Sequence, residues 1–137
     1  MSGRRGEVWV IGRRDLLCHH PGNTDVPGGT DLPGDTDVSG DTARSKDTER
    51  AVVIVSADGL GESAAGVLLV VPMTTSRWNL PTHVAIESGA SGLGSVHFAR
   101  CEDLTSIPSV RLIRRLGVVS ADALAQTGRV LAMLLDL

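Results

Sequence analysis

The sequence predicts a mainly β, α+β domain: a small, strongly curved barrel of short strands with one helix at its C-terminal end. Three observations predict it. Short apolar, β-branched segments recur between turn residues along most of the chain. Two of them, Ala51-Val52-Val53-Ile54-Val55 and Val67-Leu68-Leu69-Val70-Val71, are continuous apolar runs of strand length. The last segment changes to helical spacing.

Taken in order, strands are expected over Glu7 to Ile11, Arg50 to Ser56, Val67 to Met73, His83 to Ile86, His97 to Cys101 and Arg111 to Val118. A short helix or turn follows Pro108, which suits a first helical turn. Ser120 is a good N-cap, and Asp122 complements the dipole of a final helix. Leu124, Leu131, Leu134 and Leu135 then form a stripe that would dock on the sheet.

A chain of 137 residues supports one domain, residues 1–137, with a modest core. Hydrophobic content is 42% and charged content 21%, while only 2% is aromatic (Trp9, Trp78 and Phe98), so the core must be aliphatic. No apolar stretch reaches the ~20 residues of a membrane span, and no signal-peptide core follows the N-terminus. Cys18 and Cys101 read as reduced thiols. A cytoplasmic protein with no membrane association is the expectation.

Between the first two strands lies an acidic loop, residues 18–48, built from a Gly/Pro/Asp/Thr hexad repeat. Pro21-Gly22-Asn23-Thr24-Asp25-Val26 is followed by Pro27-Gly28-Gly29-Thr30-Asp31-Leu32 and Pro33-Gly34-Asp35-Thr36-Asp37-Val38. One apolar residue in six is a β-helix period, but these copies supply too few coils to bury a core. The segment reads as a flexible loop of turn formers. Its Asp residues lack the ligand spacing of a calcium loop. Cys18-His19-His20, the nearest approach to a metal set, lacks a partner pair, so neither metal nor cofactor is expected. The formal net charge of −3 also resolves here. Residues 21–49 hold seven acids and two bases, whereas the remainder holds nine acids and eleven bases. The folded part is mildly basic, which leaves a polyanionic partner open.

Several strings resemble the MazF/PemK family of toxin endoribonucleases. They are Arg5-Gly6-Glu7-Val8-Trp9; Arg50 through Ser56-Ala57-Asp58; Val70-Val71-Pro72-Met73-Thr74; Leu80-Pro81-Thr82-His83-Val84; and Gly92-Leu93 leading to Cys101-Glu102-Asp103-Leu104. Arg111 to Gly117 and the Leu-rich C-terminus follow in order, so the likeness covers residues 4–12 and 49–137. It implies the SH3-like barrel shared by MazF and the gyrase poison CcdB, and a homodimer inhibited by a MazE-like antitoxin. The implied activity is sequence-selective, metal-independent cleavage of single-stranded RNA to 2′,3′-cyclic phosphate and 5′-hydroxyl ends. The alternatives are a CcdB-like protein-binding toxin and a member that only binds antitoxin. The chain departs from the family pattern at Ala51, at Val96-His97, at Asp103, and in the stretch replaced by the hexad repeat.

The resemblance assigns the catalytic pair to Arg50 and Thr74. An Arg grips a phosphate through paired hydrogen bonds but is a poor base, so its expected role is charge stabilisation or proton delivery to the leaving oxygen. Thr74 would donate to the scissile phosphate. RNA contacts are expected from Thr75, Ser76, Arg77, Trp78 and Glu102: a loop with a cation and a stacking face, and a carboxylate for a base edge. His83 and His97 read as strand-end or packing residues. Arg111, Arg114 and Arg115 read as belonging to a structural strand.

Overall fold

A computed structural model describes residues 3–12 and 49–137. The hexad-repeat loop and Cys18-His19-His20 lie outside the described residues. Seven strands and one helix are found among those described: β1 (Glu7–Gly12), β2 (Glu49–Ile54), β3 (Val67–Thr74), β4 (His83–Ile86), β5 (His97–Arg100), β6 (Thr105–Pro108), β7 (Leu112–Val118) and α1 (Ala121–Leu135). The strand order is β4-β5-β3-β2-β1-β7, every pairing is antiparallel, and β6 joins beside β3.

Strand β3 explains how so short a chain curves into two lobes. One of its edges pairs with β2. Along its other edge, Val67 to Val70 pair with β6, while Met73 and Thr74 pair with β5. The central strands are therefore covered on both faces, which is why they read as apolar runs rather than as alternations. Val53, Val55, Val71 and Met73 enter one core with Val84, Ile86, Ala99 and residues of α1. Val52, Ile54, Leu68 and Val70 enter a second core with Trp9, Ile11, Ile107 and Leu112.

The short signatures near the N-terminus fasten this frame. Gly6, at φ 92°, donates its N–H to Ile54 O at 2.7 Å, and the Arg5 guanidinium donates to Val55 O. Glu7 accepts from Arg4 N and Trp9 Nε1, at 3.0 and 2.9 Å, and from Arg115 Nε at 3.1 Å. Burial alone would raise its pKa, but these bonds outweigh it and hold Glu7 below the ordinary 4.5. Ser56 Oγ accepts from Leu69 N, and Asp58 Oδ1 accepts from Arg5 N. Both strings are structural clasps.

The turn after β4 is pressed against β7 by two glycines. A Cβ on Gly92, whose φ is +78°, would lie 2.0 Å from Leu116 O, and one on Gly117 would lie 2.1 Å from Ala90 O. Ala90 O meanwhile accepts from Val118 N at 2.9 Å. No other residue fits either contact.

Two expectations need correction. Strand β6 was not foreseen, because Thr105-Ser106-Ile107-Pro108 has one apolar residue and a proline. It pairs through a single edge, where proline is tolerated. The leucine stripe is also wrong at its end. Leu124 and Leu131 pack on the first core with Val130, and Ala123 and Thr127 are buried, but Leu134 and Leu135 are exposed. The helix outruns the hairpin it covers. Ser120 caps it as expected, accepting from Ala123 N at 3.1 Å.

Candidate active site

The two strands that carry Arg50 and Thr74 pair with each other. Val52 pairs with Pro72, Val53 with Val71 and Ile54 with Val70. The ladder ends at Val52 and Pro72, two residues short of Arg50 and Thr74, and Thr74 pairs on its other side with Phe98 of β5. Arg50 and Thr74 both line one open hollow of about 430 Å³, together with Glu49, Ala51, Met73, Thr75 and His97. The Arg50 guanidinium donates through Nη1 to Met73 O at 3.3 Å, which ties it to the neighbouring strand. Thr74 Oγ1 accepts from Ser76 N at 3.1 Å, and that bond leaves its hydroxyl proton unused. A cation and a hydroxyl donor thus share a water-accessible concavity the size of a phosphodiester and its neighbours.

A second hollow of about 340 Å³ adjoins the first through Glu49, Arg50, Ala51 and His97, and continues past Gly92 to Gly94 toward Arg114 and Leu116. Arg114 is 3.3 Å from Glu49, and Arg115 is paired with Glu7. Neither arginine forms a free basic patch.

Of the remaining expected contacts, Thr75 lines the hollow, while Ser76, Arg77 and Trp78 stand on the exposed loop beyond β3. Arg77 lies over the Phe98 ring, 5.8 Å from its centroid. Trp78 is 61% exposed, so its ring is open to a stacking partner. Glu102 sits elsewhere, in the 3-10 turn Cys101–Asp103 after β5. It accepts from Thr82 Oγ1 at 2.7 Å and from His83 Nε2 at 2.9 Å, with Arg100 Nε at 3.7 Å. Burial would raise its pKa, but the Thr82 and His83 hydrogen bonds prevail and hold it below the ordinary 4.5. Arg100 also pairs with Asp103 at 3.1 Å. The carboxylate belongs to a rim network, not to the hollow.

His97, read from sequence as a strand-end or packing residue, opens β5 and borders both hollows. The available signal was its place at the head of β5, whose register pairs Phe98 with Thr74. Cys101, by contrast, is buried, and burial pushes its thiol up to about 11, the setting of an inert structural cysteine. Among the described residues no group of three or more His, Cys, Asp or Glu is placed to hold a metal ion. No helix among them is long and apolar enough to cross a membrane.

Residues 36–135 match the model of the PemK-like, MazF-like toxin of type II toxin–antitoxin systems. The chain belongs to that family. Over 93 residues it is 37% identical to Endoribonuclease MazF9 of Mycobacterium tuberculosis, covering 64% of this chain and 79% of that protein. Among solved structures, the M. tuberculosis toxin MazF-mt6 matches with a TM-score of 0.58 at 24% identity, over 66% of this chain and 90% of its own. A mycobacterial endoribonuclease in complex with its cognate antitoxin matches at 0.64 and 19% identity, over 99% and 97% of the two chains. At these identities the structural matches speak for the MazF fold, in which the β2 and β3 ends of this toxin carry Arg50 and Thr74.

Proposed function

We propose that this toxin is an endoribonuclease that cuts single-stranded RNA without divalent metal, leaving 2′,3′-cyclic phosphate and 5′-hydroxyl ends, with Arg50 and Thr74 at the scissile phosphate. The single observation that carries the reading is that both residues, from paired strands, line one open hollow. The 37% identity to Endoribonuclease MazF9 supports the reaction class.

The chemistry follows from the two groups. As the 2′-oxygen attacks, negative charge builds on the non-bridging oxygens of the phosphorane. Arg50, held to the Met73 carbonyl, keeps a permanent positive charge beside that position at no cost in reorganisation. Thr74 donates its hydroxyl proton to a phosphate oxygen, and its bond from Ser76 N holds the oxygen still. Thr75 adds a second hydroxyl. Ser76 and Arg77 meet flanking phosphates, and the exposed Trp78 ring stacks on an unpaired base. Glu102 is left out of this site, because it lines neither hollow and its carboxylate is engaged by Thr82 and His83. The active form is a homodimer in the cytoplasm, and the inhibitor is a MazE-like antitoxin.

Incubation with total RNA in EDTA, followed by mapping of both new ends, tests the reading. Discrete cuts with 5′-hydroxyl ends are expected, and Arg50→Ala and Thr74→Ala should abolish them with little change in melting temperature. Variants that cut as fast as wild type would remove both residues from the site.

A further inference from the structure

The hollow contains one group that the reaction needs and that Arg50 and Thr74 do not supply. His97 opens β5 and borders both hollows. Its Nδ1 lies 2.9 Å from Ser95 O. A carbonyl oxygen only accepts, so Nδ1 carries a proton, and in the neutral form of the ring the lone pair then lies on Nε2. The bond also fixes the plane of the ring, as an orienting partner does for a catalytic base. The next residue of the strand, Phe98, pairs with Thr74, and His97 lines the hollow together with Thr74 and Thr75. The charged groups around it are Glu49 and Arg50 from β2 and Arg114 from β7, and no other titratable residue lines either hollow among the described residues.

Cleavage begins with loss of the 2′-hydroxyl proton. A guanidinium holds its own proton too tightly to accept one, and a threonine hydroxyl is a feeble base at neutral pH. A neutral imidazole is suited to the task. We propose that His97 is the general base of this site, taking the 2′-hydroxyl proton onto Nε2. The proposal rests on the endoribonuclease reading above. The bond between the 2′-oxygen and phosphorus forms as the proton moves to Nε2. The bond from phosphorus to the 5′-oxygen breaks, and the departing oxygen takes a proton from a solvent water at the open mouth of the hollow. The hydroxide so formed collects the imidazolium proton and restores the neutral ring. Nothing is oxidised or reduced.

The test uses the full chain in excess over a random-sequence pool of single-stranded RNA in EDTA, so that a single turnover is read across a pH series. His97→Gln removes the basic nitrogen while keeping a polar side chain. The single-turnover rate should fall ~100-fold or more, the usual span of general-base catalysis. RNA affinity should stay near wild type, and the acid limb of the rate profile should vanish. Added imidazole should restore part of the rate of His97→Ala, a response that a purely structural histidine would not give. His97→Gln cutting at the wild-type rate with the wild-type pH profile overturns the proposal. If the substituted chains do not fold, the wild-type profile decides: a rate without an acid limb overturns it equally. The broader reading fails in a different way. Arg50→Ala and Thr74→Ala chains that cut normally would remove those two residues from the hollow's chemistry without touching the role of the imidazole, whereas a wild type that leaves the pool uncut overturns both readings.

Discussion

The two ends of the β4–β5 hairpin each present a histidine, and their surroundings give them opposite characters. At one end His97, opposite Ile86, has one nitrogen fastened to a backbone carbonyl and its ring on an open hollow. At the other end His83, opposite Arg100, has a side chain only 4% exposed and donates to Glu102, with Nδ1 buried and lacking a hydrogen-bond partner among the described residues. Three residues of strand, roughly 10 Å, separate the two environments. The difference teaches that residue type alone does not mark an active site. A histidine sealed against a carboxylate holds structure together, while one with a single orienting bond and a solvent-facing ring is available for chemistry.

The contrast can be broken from either end. The largest effect should come from the hollow: Arg50→Ala should slow RNA cleavage ~10³-fold, the loss expected for a preorganised donor, while Glu102→Gln leaves the rate near wild type in the same assay. Next is the turn that holds the hairpin against β7. Gly92→Ala forces a side chain into the Leu116 carbonyl at a positive φ, and urea unfolding should show about 3 kcal/mol or more of lost stability. Trp78→Ala should weaken RNA binding by ~1–3 kcal/mol without changing the rate at saturation, read by titration of an uncleavable 2′-deoxy oligonucleotide.

The smallest effect sharpens the comparison by pH. Glu102 and Glu7 titrate below the ordinary 4.5 when folded, so their contribution to stability is complete above that value. It is lost as pH falls through the lower folded values, because the unfolded chain then binds protons more readily. The melting temperature should therefore hold through neutral pH and fall below about 4.5. Glu102→Gln should flatten that fall and lower the neutral plateau by about 1 kcal/mol, as suits a half-exposed ion pair. The cleavage profile, governed at the other end of the hairpin, should keep its acid limb in this variant.

Much of the fold was legible because backbone sterics and burial write plainly into sequence. The continuous apolar runs of β2 and β3, the Ser120 cap and the strand ends came within a residue or two of their observed places. Strand β6 did not, since its stability is borrowed from the long edge of β3 rather than from its own composition. The same division holds at the site. Arg50 and Thr74 were visible as polar residues terminating apolar strands, and the fold sets both on one hollow. The setting of Glu102 was not legible, because its partners Thr82 and His83 are brought to it only by the fold. The place of His97 on the hollow was not legible, because that hollow is assembled from three strands distant in the chain.

The pairing of Gly12 with Glu49 places the two stumps of the intervening segment side by side. Closing a long connection costs little more than closing a short one, about 0.6 kcal/mol for each doubling. The frame is therefore nearly indifferent to what is spliced between them. That makes this junction a natural port for grafting a tag or a sensor module, or for severing the chain so that a short N-terminal peptide completes the sheet from outside.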